Sequence, residues 1–152
     1  MRVSILAIGK NRKGVFKDLY EFYATRIQWE IQLVEVEVRK TLDRKKQRLN
    51  ETKKLLSYVP EGSLIVILDE SGKLLTSRAL SGWITNQADD GAKDISFLIG
   101  GSRGLDLSAI SSPSLMISLG RVTWPHLMIR GMIAEQLYRA QQILNNHPYH
   151  RD

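Results

Sequence analysis

Cysteine is absent from all 152 residues, which rules out disulfides and thiolate metal ligands and fits a reducing compartment. Proline is scarce, at four residues, and glycine stands at eleven, so the chain is neither collagen-like nor a Pro/Gly-rich disordered tract. No apolar stretch nears the roughly 20 residues that span a bilayer. The start, Met1 to Gly9, is too short for a signal-peptide core and alternates like a strand. These absences point to a soluble cytoplasmic protein with no membrane partner. Histidine is rare as well: His126, His147 and His150 are the only three. What is present is ordinary globular material, 43% hydrophobic and 25% charged, read here as one domain over 1–152 with enough chain to bury a core.

The net charge is +6, and its placement is uneven. Residues 39–54 hold Arg39, Lys40, Arg44, Lys45, Lys46, Arg48, Lys53 and Lys54 against Asp43 and Glu51. That excess equals the net charge of the whole chain. Clustered cations are the electrostatic footprint of a polyanion binder; a solvated helix face with poor sign balance gives the same pattern.

Two periods alternate along the chain. Strand-like runs lie at 2–8, 31–38, 63–68, 95–99 and 114–119. Helical patterns fall between them at about 14–29, 42–58, 76–88 and 127–144. Phe16, Leu19, Tyr20, Tyr23 and Ile27 predict one buried stripe on the first helix, and Leu42, Leu49 and Leu56 a narrow one on the basic helix. Such alternation predicts an open, mostly parallel sheet with helices on both faces. Runs 63–68 and 95–99 are apolar apart from Ser63 and Ser96, as central parallel strands are, whereas 31–38 interleaves glutamates with valines and suits an exposed position. No repeat, low-complexity tract or linker interrupts the pattern.

Chemistry-bearing segments concentrate in the last third. The fourth strand stops at Gly100-Gly101-Ser102-Arg103-Gly104, where glycine lets a backbone approach a ligand and offers free N–H groups. This is neither G-x-G-x-x-G nor a P-loop, and a tight strand-to-helix turn has the same spelling. The fifth strand breaks at Gly120-Arg121-Val122-Thr123-Trp124-Pro125-His126 without joining a helix directly, and Pro125 stands where a helix can begin. Strand ends that open into such loops are where α/β sheets bind ligands. Glu135 and Arg139 sit at i and i+4 on the final helix, the order of an ordinary surface ion pair. The tail Asn146-His147-Pro148-Tyr149-His150-Arg151 gathers two imidazoles, a phenol and a guanidinium. No metal site is expected, because His147-x-x-His150 straddles Pro148 and lacks further ligands. A histidine that handles a proton and a tyrosine that stacks on a base suit the tail better; a frayed polar terminus is the alternative.

The segments Leu98-Ile99-Gly100-Gly101, Thr123-Trp124-Pro125-His126, Glu135-Gln136-Leu137-Tyr138-Arg139-Ala140 and Asn146-His147-Pro148-Tyr149-His150 together resemble the SPOUT-class ribosomal RNA large-subunit methyltransferase family, across essentially the whole chain. The resemblance implies a SPOUT-type α/β fold with a C-terminal trefoil knot. It also implies a homodimer that uses S-adenosyl-L-methionine to methylate ring nitrogen 3 of a pseudouridine in 23S rRNA of the ribosome's large subunit.

By the same resemblance, cofactor contacts fall on Leu68, Gly100, Leu119, Gly120, Arg121, Val122, Thr123 and Trp124. Residues on the substrate side are His126, Glu135, Arg139, Tyr149, His150 and Arg151. Catalysis is expected of His150 (or a bound water) as proton acceptor beside Tyr149, with Arg139, oriented by Glu135, opposite the developing charge. Arg44, Lys45, Lys46 and Arg48, with the Gly9–Gly14 loop, are expected to meet RNA phosphates. Two readings of another class remain open on sequence: a non-enzymatic RNA- or ribosome-binding module, and an α/β enzyme holding a different nucleotide at the glycine loop.

Overall fold

A computed structural model describes residues 1–151. Its elements in chain order are β1 (Arg2–Ile8), α1 (Val15–Ala24), β2 (Glu30–Val36), α2 (Arg44–Leu56), β3 (Leu64–Leu74), α3 (Ser77–Asp89) and β4 (Asp94–Ile99). A 3-10 turn at Leu107–Ala109 then leads to β5 (Leu115–Ser118) and α4 (His126–Leu144). The strands form one sheet in the order β2-β1-β4-β3-β5, and every pairing is parallel. The apolar strands β4 and β3 lie inside, and glutamate-bearing β2 forms an edge, as the patterning predicts.

Side chains alternate across the pleat. Val3, Ile5 and Ala7 of β1 join Phe97 and Ile99 in a core covered by α1, α3 and α4. Leu6 and Ile8 point to the opposite face, where Leu98, Leu105, Ile110 and Leu55 of α2 cover them. Helices therefore lie on both faces. Helix α4 crosses α1 closely enough that a Cβ on Gly131 would stand 2.6 Å from Leu19 Cγ.

Three local expectations change. Helix α1 ends at Ala24 rather than near residue 29, and no residue of it is fully buried; its apolar stripe is half-covered and Phe22 stands 52% exposed. The stripe on α2 is not the expected leucine ladder. Leu42 precedes the helix and is fully exposed, while Gln47, Thr52 and Leu55 form the buried face. The helix starts instead at Asp43, whose carboxylate accepts the N–H groups of Lys45 and Lys46. Finally, β3 runs on to Leu74. Leu68 and Lys73 both register against Ile117, so residues 69–72 bulge out of the ladder. Asp69 closes the bulge by accepting from Ser71 N at 2.9 Å, and a Cβ on Gly72 would fall 2.4 Å from the Ile117 carbonyl carbon.

Candidate active site

The bulge of β3 after Leu68 and the loops that leave β4 and β5 surround a cavity of about 740 Å³. One wall is the glycine loop. Gly101 and Gly104 pair across it, and a Cβ on Gly100 would lie 2.5 Å from the Gly104 carbonyl carbon, so only glycine fits there. The opposite wall is the segment Ser118–Pro125. Ser118 Oγ donates to the Gly120 carbonyl at 2.8 Å, and Trp124 Nε1 donates back to the Leu119 carbonyl at 3.2 Å, so this loop is braced by its own side chains. Gly120 takes φ 121° to make the turn. Pro125 is the residue immediately before α4, and His126 opens the helix at the cavity rim.

Of the residues implicated from sequence, Leu68, Gly100, Leu119, Gly120, Val122, Thr123, Trp124 and His126 line this cavity. Arg121 is not among them: it is exposed and donates to the Glu70 carbonyl at 3.1 Å. Arg48 reaches the cavity from α2, whereas Arg44, Lys45 and Lys46 stand exposed on the first turn of that helix. Ser102 and Arg103 of the glycine loop also line it, as do Asp69 and Glu70, which sequence reasoning passed over. Asp69 and Glu70 could have been found from their place, since they follow directly on the apolar run 63–68 and form the bulge that opens into the site.

The cavity carries charge of both signs. Asp69 and Glu70 stand in its lining with Arg48 and Arg103, a donor set suited to a zwitterionic, nucleoside-sized ligand, and the volume is ordinary for such a pocket. Burial, helped by the nearby Arg130 guanidinium, pushes the His126 imidazole below its usual pKa, with Glu51 opposing. His126 is therefore neutral at pH 7.

The tail does not fray. Asn146 adopts a left-handed conformation (φ 50°), and the His147 N–H returns to the Gln142 carbonyl at 2.9 Å. The chain then folds back on α4. Glu135 Oε1 accepts from Arg139 Nε at 2.9 Å and lies 3.0 Å from the Tyr149 hydroxyl. Arg139 sits 4.7 Å above the Tyr149 ring, which meets Tyr138 edge-on at 4.9 Å. His150 Nδ1 is 3.4 Å from Arg139 Nη1. Glu135 holds the Arg139 pKa above its normal value through that hydrogen bond. Partial desolvation raises the Tyr149 phenol, reinforced by Tyr23 and Glu135. Arg151 is exposed at the edge of this cluster.

Thus Glu135, Arg139, Tyr149 and His150 are brought together, but none of them lines the large cavity. Glu135 belongs instead to a second cavity of about 500 Å³ between α1, α4 and the end of β3, with Tyr23, Ser77 and Gln136. Ile117 through Gly120 line both. Among the described residues no group of three or more His, Asp or Glu is arranged to hold a metal ion, and no helix is long and apolar enough to cross a membrane.

The chain matches the family described as Predicted SPOUT methyltransferase over residues 1–150. It belongs to the SPOUT methyltransferase family. Its relatives include Ribosomal RNA large subunit methyltransferase H of Rhodospirillum centenum, 43% identical over 151 residues and covering 99% of both chains. The protein of that name from Paramagnetospirillum magneticum is 39% identical over the same share. That of Rhizobium etli is 38% identical over 159 aligned residues, again 99% of each. Membership settles the choice of class: this SPOUT methyltransferase is an enzyme, and the reading as a non-enzymatic binding module gives way.

Proposed function

We propose that this SPOUT methyltransferase transfers the methyl group of S-adenosyl-L-methionine to ring nitrogen 3 of a pseudouridine in 23S rRNA of the large subunit. It acts in the cytoplasm as a homodimer, and residues 1–152 form one domain with a trefoil-knotted C-terminal end. The observation that carries the reading is the cavity walled by Leu68, the Gly100 loop and residues 118–125. Its glycine walls bring main-chain groups to an adenosine-sized space, and its two carboxylates and two guanidiniums match an amino-acid zwitterion and a ribose diol. The rRNA substrate is supported by the relatives' names and by the cations of α2.

When bound, S-adenosylmethionine supplies a methyl group already activated for transfer. The residues of the chain then have three tasks. Main-chain groups of Gly100 and of 119–124 hold the adenosyl end, with the Arg121 backbone contributing while its side chain stays outside. Arg139, fixed by Glu135, faces the ring carbonyl that gains negative charge as the imide is deprotonated. His150 or a water beside it accepts that proton, Tyr149 packs the nucleobase, and the N–H bond is replaced by an N–CH3 bond. Positioning of two reactants in line supplies the main rate advantage, several kcal/mol. Arg44, Lys45, Lys46, Arg48, His126 and Arg151 grip the RNA around the target.

The separation of the tail cluster from the large cavity within one chain supports the homodimer, because a second copy can bring its tail to the cavity of the first. Mixing a Gly100 variant with an Arg139 variant tests this, with restored activity as the expected result and no restoration as the refutation. Mapping tritiated methyl incorporation into rRNA from a strain lacking this protein tests the reaction itself. Label on pseudouridine nitrogen 3 is expected; label elsewhere, or none, overturns the assignment.

A further inference from the structure

Helix α2 does not face the large cavity squarely; it turns one flank to it and the other away. Arg48 enters the cavity lining. Asn50 and Lys54 lie about 200° and 240° further round the helix, and these two border a separate open groove of about 550 Å³ against the end of β2. The groove is lined by Glu37, Arg39, Asn50, Lys53, Lys54 and Ser57, over Val38. Its one carboxylate is already engaged: Lys10 Nζ lies 3.5 Å from Glu37 Oε2. Arg39, Lys53 and Lys54 are exposed, and the Lys54 ammonium lies 5.5 Å over the Tyr58 ring. Three cations and an amide around an uncovered concavity are a recognition set for phosphate and sugar, not for an apolar partner.

The groove is also fixed in place relative to the loop on its other side. Glu35, two residues before Glu37 on β2, accepts the Asn11 N–H at 2.9 Å and pairs with the fully buried Arg130 of α4. Arg130 in turn donates to the carbonyls of Ile8 and Gly9. The cationic loop carrying Lys10, Arg12 and Lys13 is thereby tied to the same strand end that floors the groove. Two cationic surfaces therefore flank α2, one leading into the cavity and one leading away from it.

We propose that this groove is a second RNA-docking surface, holding a backbone segment distinct from the strand that carries the target nucleotide. This rests on the rRNA reading above and sharpens its substrate class: the enzyme recognises a folded RNA that presents two backbone segments across α2, not a short single strand. The groove supplies affinity without sequence preference, since its contacts are to phosphate and sugar.

The test compares wild type with the triple variant Arg39→Gln/Lys53→Gln/Lys54→Gln, on exposed positions whose folding is checked by thermal melt. Two RNAs are titrated: a long, folded large-subunit rRNA transcript and a short single-stranded oligonucleotide carrying pseudouridine. The variant is expected to bind the folded transcript at least about tenfold more weakly, with its log K against log[salt] slope reduced in magnitude by about two. Affinity for the oligonucleotide is expected to stay unchanged. Unchanged binding of the transcript, or equal weakening for both RNAs, overturns the second surface. Phosphatidylserine vesicles are the control for another polyanion: loss of vesicle binding with transcript binding intact overturns it too. If wild type does not bind the folded transcript, the groove is overturned; if rRNA carries no methyl label from this protein, the rRNA reading itself falls, a result distinct from failure of the groove alone.

Discussion

Arg130 Nη2 donates to the Gly9 carbonyl at 2.8 Å, joining the first strand end of the chain to its last helix across 121 residues. The guanidinium has no solvent exposure, and its other contacts are the Ile8 carbonyl and the Glu35 carboxylate. Removing the guanidinium strips two carbonyls of their buried donor and leaves the Glu35 carboxylate, already 24% exposed, with only the Asn11 N–H. Arg130→Met is expected to lower unfolding free energy by about 3–5 kcal/mol, measured by urea denaturation.

Gly100 admits no side chain. The methyl group of Gly100→Ala would meet backbone, not a movable side chain, so the 100–104 turn must shift at the cavity wall. S-adenosylmethionine affinity is expected to fall at least about tenfold, a contact loss of 1.4 kcal/mol or more by the usual conversion, with the secondary structure retained. Calorimetric titration checks it.

His126 gives the protein a pH dependence whose sign follows from burial. The folded state disfavours the imidazolium, so the folded pKa lies below the unfolded value near 6.5. Stability from this group is complete above about pH 6.5 and declines as pH falls from there toward the folded pKa, because the unfolded chain binds the proton first. In denaturation series between pH 7.5 and 5, His126→Gln should lose less stability on acidification than wild type.

Arg139 holds Glu135 through a fork that lysine cannot reproduce. Arg139→Lys is expected to slow single-turnover methyl transfer about 10–100-fold while leaving S-adenosylmethionine binding near wild type, since Arg139 lies outside the cavity lining. A parallel fall in binding would move Arg139 into the cofactor site.

Much of the scaffold was legible because burial on a parallel sheet imposes its own spelling. Largely apolar runs such as Leu64–Leu68 and Ile95–Ile99 mark inner strands, and the glutamates at 35 and 37 mark an edge. The extension of β3 was hidden because Asp69-Glu70-Ser71-Gly72 spells a turn, and a bulge uses the same chemistry. The buried face of α2 was hidden for a different reason. Thr52 and Gln47 are polar, and they tolerate burial because Thr52 Oγ1 accepts from Asp106 N and Gln47 Oε1 accepts from Thr41 N. Buried Arg130 was invisible for the same cause: its partners lie more than 90 residues away. In the site, the glycine breaks and the tail motif could be read directly, while the separation of the tail cluster from the large cavity could not. That separation depends on where α4 runs, which no local pattern encodes.

The short stretch from Ile117 to Gly120 is a partition with a chamber on each side. A thin wall of this kind cannot yield toward one room without enlarging the other. An occupant beside Tyr23 and Gln136 that displaced Leu119 would narrow the space on the far side, at Thr123 and Gly100.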